Sequence, residues 1–155
     1  MRLIAISLLV ATTSLAHAET YDSTGTITGQ AGSTMTALSD GHVIMFAPST
    51  HDAFDMAVEG HPFADMTGNC NGTMEINGPS ARGSGHCIYE NAAGEKMVVN
   101  WIARQLDAEG GFHGDWIVVG GTGGMSGASG GGSFVSVTDQ SNGSQTVTLS
   151  GALSL

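Results

Sequence analysis

Apolar residues in this chain occur in short runs, most of them alternating with polar ones and separated by glycine-, asparagine- or proline-containing breaks. The run at 42–47 (HVIMFA) is apolar almost throughout and stops at Pro48, which has no N–H to give a strand ladder. Phe54, Met56 and Val58 alternate with Asp55, Ala57 and Glu59, the period of a half-buried strand. Residues 20–29 (TYDSTGTITG) favour β-structure but have a weak apolar face, as an edge strand or N-terminal arm would. Residues 30–40 are small and polar and predict a loop, with Asp40-Gly41 as a turn signal. Later, 116–119 (WIVV), 133–138 (SFVSVT) and 144–149 (SQTVTL) predict three more strands. No segment carries a helical period. About eight short strands between glycine-rich turns predict an all-β protein, best satisfied by a closed antiparallel barrel in meander order. A β-sandwich is the alternative.

The middle of the chain predicts its own register. Folded about Gly78-Pro79, the stretch sets Cys70 opposite Cys87, Glu75 opposite Arg82 and Thr73 opposite Ser84. One register satisfies all three pairs, and the two cysteines are the only ones present, so the hairpin is expected to be closed by a disulfide. By restricting the unfolded chain, such a bridge contributes about 3 kcal/mol. A three-residue turn ending at Gly94 in the left-handed conformation would form a G1 bulge. It places Glu90 opposite Lys96, Trp101 opposite Gly85 and Ala103 opposite Gly83, an opposite-charge pair and the largest side chain over the smallest. Alternation across these three strands puts Cys70, Met74, Ile76, Cys87, Tyr89, Met97, Val99 and Trp101 on one face, expected to be the core or a cavity wall. Thr73, Glu75, Arg82, His86, Lys96 and Arg104 fall on the other, with Val98 and Ile102 among them. Arg104 and Asn100 could orient a ligand if that face turned inward, but the stronger expectation is a surface contact of Arg104 with Glu75.

The chain opens MRLIAISLLVATTSLAHA, with Arg2 ahead of an apolar run and Ala16-His17-Ala18 as a small-x-small cleavage site. This is the pattern of a secretory signal over 1–18, leaving 19–155 as one domain and placing the protein in the periplasm or outside the cell. Export agrees with a disulfide, and no later segment is long enough to span a membrane. The net charge is −10. Arg82, Lys96 and Arg104 are the only fixed cations after residue 18, too few to hold a phosphate backbone or an anionic lipid surface. Nucleic-acid binding and electrostatic docking to anionic lipid are therefore not expected, nor is a membrane span once the signal is removed.

Candidate chemistry is sparse. The run 120–132 (GGTGGMSGASGGG) lacks the lysine and following helix of a phosphate loop, and its glycines fit tight turns at a barrel rim. The segments 51–56 and 61–66 repeat a His-x-x-x-Asp-Met pattern, and with His42, Met45, His86 and His113 they offer soft ligands suited to copper. Their spacing forms no ligand cluster, so surface histidines and packed methionines are expected, and neither a metal nor a cofactor is assigned. There is no GxSxG nucleophile motif. The pairs Asp52/Asp55 and Asp107/Glu109 are expected as solvated charges in or beside turns, and no catalytic residue is assigned.

Cys70-x-Gly72, the segment 85–95 (GHCIYENAAGE) and the segment 116–130 (WIVVGGTGGMSGASG) resemble small exported bacterial proteins similar to the allene oxide cyclase-like barrel group, itself related in shape to dirigent proteins. The resemblance covers about the C-terminal two-thirds of the chain. It implies an eight-stranded antiparallel barrel, often a homo-oligomer, with an apolar cavity that in the characterised relatives shapes a reactive intermediate during cyclisation or coupling. This chain departs from the pattern at Gly124, where a GGTGK-type turn carries a basic residue, and no catalytic residue carries over. A cavity would be lined by Met74, Tyr89, Met97, Trp101 and Trp116 and take a small apolar or amphipathic ligand. A filled interior would point to a structural barrel, an open one with buried charges to a cyclase or isomerase, and an open, uncharged one to a binding protein.

Overall fold

The computed structural model describes residues 18–155; residues 1–17, which carry all but the last residue of the expected signal segment, lie outside the described residues. The strands are β1 (Thr20–Asp22), β2 (Gly25–Ala31), β3 (Thr34–Ser39), β4 (His42–Phe46), β5 (Ser49–Met56), β6 (Met66–Asn77), β7 (Ser80–Asn91), β8 (Lys96–Leu106), β9 (Phe112–Gly121), β10 (Ser129–Thr138) and β11 (Ser144–Ser154). A 3-10 turn, Gly123–Met125, follows β9. Strands β2 and β5 to β11 close into an eight-membered antiparallel ring. The order is a meander interrupted by one inserted hairpin, β3–β4. Closure removes the edges of the ring strands, as the glycine-rich turns led us to expect.

The long β6 has two successive partners on one side. Residues 68–70 pair with β5 and residues 73–77 with β4. The β3–β4 hairpin thus extends the wall at the end of the barrel where β5 begins. In the same way β1 takes over from β2 beside the end of β11. Residues 34–39 are a strand and not the expected loop. Every residue of β3 is exposed and its only partner is β4, so nothing demands an apolar period there.

The β6–β7–β8 register is the one read from the residues. Cys70 faces Cys87, Thr73 faces Ser84 and Glu75 faces Arg82; Glu90 faces Lys96, Trp101 faces Gly85 and Ala103 faces Gly83. Gly78 and Gly94 take φ +57° and +79° at the two turns, where a side chain would be strained. The cysteines form a disulfide across β6–β7 with their Cα atoms 4.0 Å apart. Trp101 lies flat over two glycines: a Cβ on Gly72 or Gly85 would come within 2.0 or 2.5 Å of its ring. Outside the barrel, Lys96 pairs with Glu90 at 3.0 Å. Arg104 does not reach Glu75. It pairs with Asp115 on the neighbouring β9, and Glu75 is taken by His42 at 2.7 Å.

One end of the barrel is plugged. Phe63, Met66, Met97 and Leu153 are each no more than 1% exposed, and Met125 from the 3-10 turn packs against them in the same core. Phe63 comes from the chain between β5 and β6, which folds under the barrel and sets the ring tilted against Phe54 and edge-to-face with Tyr89 and Trp116, at centroid distances of 5.7, 5.8 and 5.9 Å. Burying side chains of this size contributes about 1.5–3 kcal/mol each.

Candidate functional site

Above that plug the interior is open. A cavity of about 460 Å³ runs to the opposite end, a volume typical of small-molecule sites. Its mouth lies among the turns between β2 and β3, β4 and β5, β8 and β9, and β10 and β11, with Met35 and Met45 of the inserted hairpin on the rim. Of the residues expected to line it, Met74, Tyr89, Trp101 and Trp116 do so. Met97 does not. It is fully buried in the plug, one turn of the pattern too near the closed end. The two cysteines, Val99, Phe134, Val147 and Leu149 complete much of the apolar wall. Among the described residues, none that lines the cavity is Asp, Glu, Lys or Arg.

Polar groups enter this wall along one row of the sheet. Tyr89 of β7 faces Gly68 of β6, Gly68 faces His51 of β5, His51 faces Gly29 of β2, and Gly29 faces Gln145 of β11. The glycines leave room for their neighbours. A Cβ on Gly68 would stand 2.6 Å from the Tyr89 ring, so Tyr89 can lie across β6 and stack on His51, with ring centroids 5.8 Å apart and planes at 20°. Its hydroxyl is 2.9 Å from His51 Nδ1. The Cys70 sulfur closes the group, 3.6 Å from the same nitrogen and 3.7 Å from the hydroxyl. At the other end of the row, Gln145 Nε2 donates to Ser136 Oγ at 2.9 Å. Gln145 Oε1 is buried and accepts no hydrogen bond from any protein group.

Electrostatics keep the row uncharged. Burial drives the His51 pKa down to about 4, with the nearby Gln145 side chain and the outward-facing Asp52 offsetting part of the effect. His51 is therefore neutral at pH 7 and a weak base. Burial moves the Tyr89 hydroxyl the other way, far above its usual range, so it keeps its proton. Neither group is poised for proton transfer near neutrality, which calls for a pKa close to the working pH.

Sequence reasoning placed none of His51, Gln145 and Ser136 in the cavity wall, and raised His51 only among possible copper ligands. Gln145 and Ser136 were within reach, since Gln145 is in step with Val147 and Leu149, and Ser136 with Phe134. His51 was not, because a bulge intervenes: Thr28 faces Ala53 but Gly29 faces His51, leaving Asp52 without a partner. Counting back in twos from Phe54 puts His51 outside, whereas it is 5% exposed and points inward.

Three other histidines, His42, His61 and His113, have partners of their own. His42 binds Glu75 and His113 binds Asp107, each at 2.7 Å, and the Asp107 carboxyl is held below its usual range chiefly by the His113 hydrogen bond. Asp52 and Asp55 lie in strand β5, pointing outward, not in a turn. His51, Cys70 and Cys87 have ligand atoms within 4.8 Å of one another, but both sulfurs are committed to the disulfide. A buried Ser–His pair also exists away from the cavity. Ser23 Oγ is 3.0 Å from His61 Nε2, with the two residues 0% and 2% exposed. His61 Nδ1 accepts the Phe63 backbone N–H at 3.0 Å, so in the neutral ring Nε2 carries the proton and donates it to Ser23. That tautomer cannot take a proton from the serine, and the pair braces the plug.

No helix among the described residues is long and apolar enough to cross a membrane. Compared with protein-family models, curated proteins and solved structures, the chain matches none.

Proposed function

We propose that this is an exported binding barrel that holds a neutral, largely apolar small molecule in its interior. The observation that carries the reading is the open cavity, about 460 Å³, walled by Trp101, Trp116, Phe134, Met74 and Tyr89 without a charged side chain. Burial of apolar ligand surface would supply the affinity, at about 25 cal/mol per Å² before the costs of association. A cyclase or isomerase working in the same space would need an acid or base active near neutral pH. His51 and Tyr89 are held away from that range, so binding is the better-supported role. Export rests on the signal-like pattern at 1–18 and on the disulfide, and the resemblance to allene oxide cyclase-like barrels agrees with an interior built to contain a ligand.

Two measurements test this. Native mass spectrometry of the protein purified from its own host should show a co-purifying small molecule. The emptied protein should take up the neutral dye N-phenyl-1-naphthylamine with a rise in dye fluorescence and a change in tryptophan emission. An empty protein that also refuses the dye overturns the proposal.

A further inference from the structure

Given a ligand in the cavity, we propose that it carries a hydroxyl group, as an alcohol or phenol does, seated between His51 and Gln145. The inference deepens the binding role above and rests on it. The two ends of the polar row have complementary needs. The Tyr89 hydroxyl has only the Cys70 sulfur as an alternative acceptor, a weak one, so it donates to His51 Nδ1. The proton of the neutral ring then sits on Nε2, making that atom a donor whose protein acceptor in reach is the Cys70 sulfur at 3.9 Å, a weak one. Across the row, Gln145 Oε1 is a buried acceptor with no protein donor, its own Nε2 being committed to Ser136. The Gln145 side chain comes within hydrogen-bonding range of the His51 ring, which partly offsets the effect of burial on that ring, but the contact falls short of ordinary hydrogen-bond geometry and leaves the oxygen unpaired.

A hydroxyl fits both needs at once, accepting from His51 Nε2–H and donating to Gln145 Oε1. An ether can only accept, so it leaves the amide oxygen unpaired. A carboxylate cannot donate either, and it brings a negative charge into a wall with no cation. An ammonium donates but cannot accept, and it finds no anion. Leaving a buried polar group unpaired costs about 1–3 kcal/mol, which corresponds to roughly 5- to 150-fold in affinity. The rest of the molecule is selected by size and apolarity alone, because the wall beyond the row offers few polar groups.

The test uses ligands that share a chain and differ in the head group: 1-decanol, decyl methyl ether, decanoate and decylamine, each displacing N-phenyl-1-naphthylamine from the chain 19–155 at pH 7. The expected order is decanol at least roughly tenfold tighter than the ether, with no displacement by decanoate or decylammonium at matched concentration. In Gln145→Met, which keeps the volume and removes the acceptor, the alcohol-to-ether ratio, each affinity read against the variant's own dye affinity, should fall to about one. The ligand series on the unaltered chain is decisive even if that variant does not fold. Displacement with equal alcohol and ether affinity, as when water keeps the row paired, overturns the hydroxyl inference alone. Tighter binding of decanoate overturns it as well. Failure of the dye to enter at all overturns the cavity reading beneath it.

Discussion

Burying His51 as a neutral ring ties the stability of the barrel to pH. Its pKa is 6.5 in the unfolded chain and about 4 when folded. Between those values the unfolded state binds a proton that the folded state refuses, so the linkage term favours unfolding as pH falls. The contribution is complete above about pH 6.5, is lost at up to about 1.4 kcal/mol per pH unit on the way down, and levels off below about pH 4. Over the whole window the loss is about 3 kcal/mol, a large share of the stability of an ordinary domain. The measurement is urea unfolding at intervals from pH 4 to 8, on the native chain and on His51→Gln. The glutamine variant should start less stable, through lost packing, and close the gap by about 3 kcal/mol as pH falls. His61 is also depressed by burial, but it is present in both proteins and cancels in the difference. Asp22, Glu95, Asp107 and Asp139, whose pKa values are lowered by hydrogen bonds, lose their contribution only at the acid end and cancel likewise. Parallel stability curves would refute the claim that His51 is buried uncharged.

Three further outcomes are expected. Replacing both cysteines with serine should lower the unfolding free energy by about 3 kcal/mol, the chain-entropy value for a loop of this length, measured by urea titration at constant pH. Gly85→Ala places a methyl group 2.5 Å from the Trp101 ring and 2.0 Å from the Asn71 carbonyl oxygen; it should cost about 1–3 kcal/mol and alter the near-UV circular dichroism of the indole. Ser23→Ala removes the acceptor of the buried His61 N–H and should cost about 1–3 kcal/mol. It should leave dye uptake unchanged, and a fluorophosphonate probe should label neither protein at Ser23.

The β6–β8 meander was legible because its constraints are local and redundant. Two cysteines, two charge pairs, a Trp over a Gly and two turn glycines all demand the same register. The wall residues Met74, Tyr89 and Trp101 follow from that register by alternation. Met97 does too, and alternation cannot tell the plugged end from the open one, which depends on where the chain 57–65 folds. The strand β3 was illegible for the opposite reason. An exposed outer strand is under no pressure to alternate, so its residues look like a loop. His51 was hidden by parity, since the unpaired Asp52 reverses the inside–outside sense of β5. No local residue pattern announces that bulge.

The ring is sealed by strands from opposite ends of the chain. β2 pairs with β11, and beside it Thr20 bonds to Ser154, 134 residues away. The braced β6–β7 hairpin, by contrast, joins cysteines separated by 17 positions. Contacts between near neighbours form before distant ones, so assembly should begin at the oxidised hairpin and spread outward through the meander. Until β11, paired with β10 through their short turn, docks against β2, the sheet is open and β2 and β11 each present a free edge able to pair with another molecule. The cavity has no existence in any of those earlier states. On the proposed binding role, a ligand could be held only once this final event of folding is complete, and a bound molecule that spans the seam would act as a clasp on it.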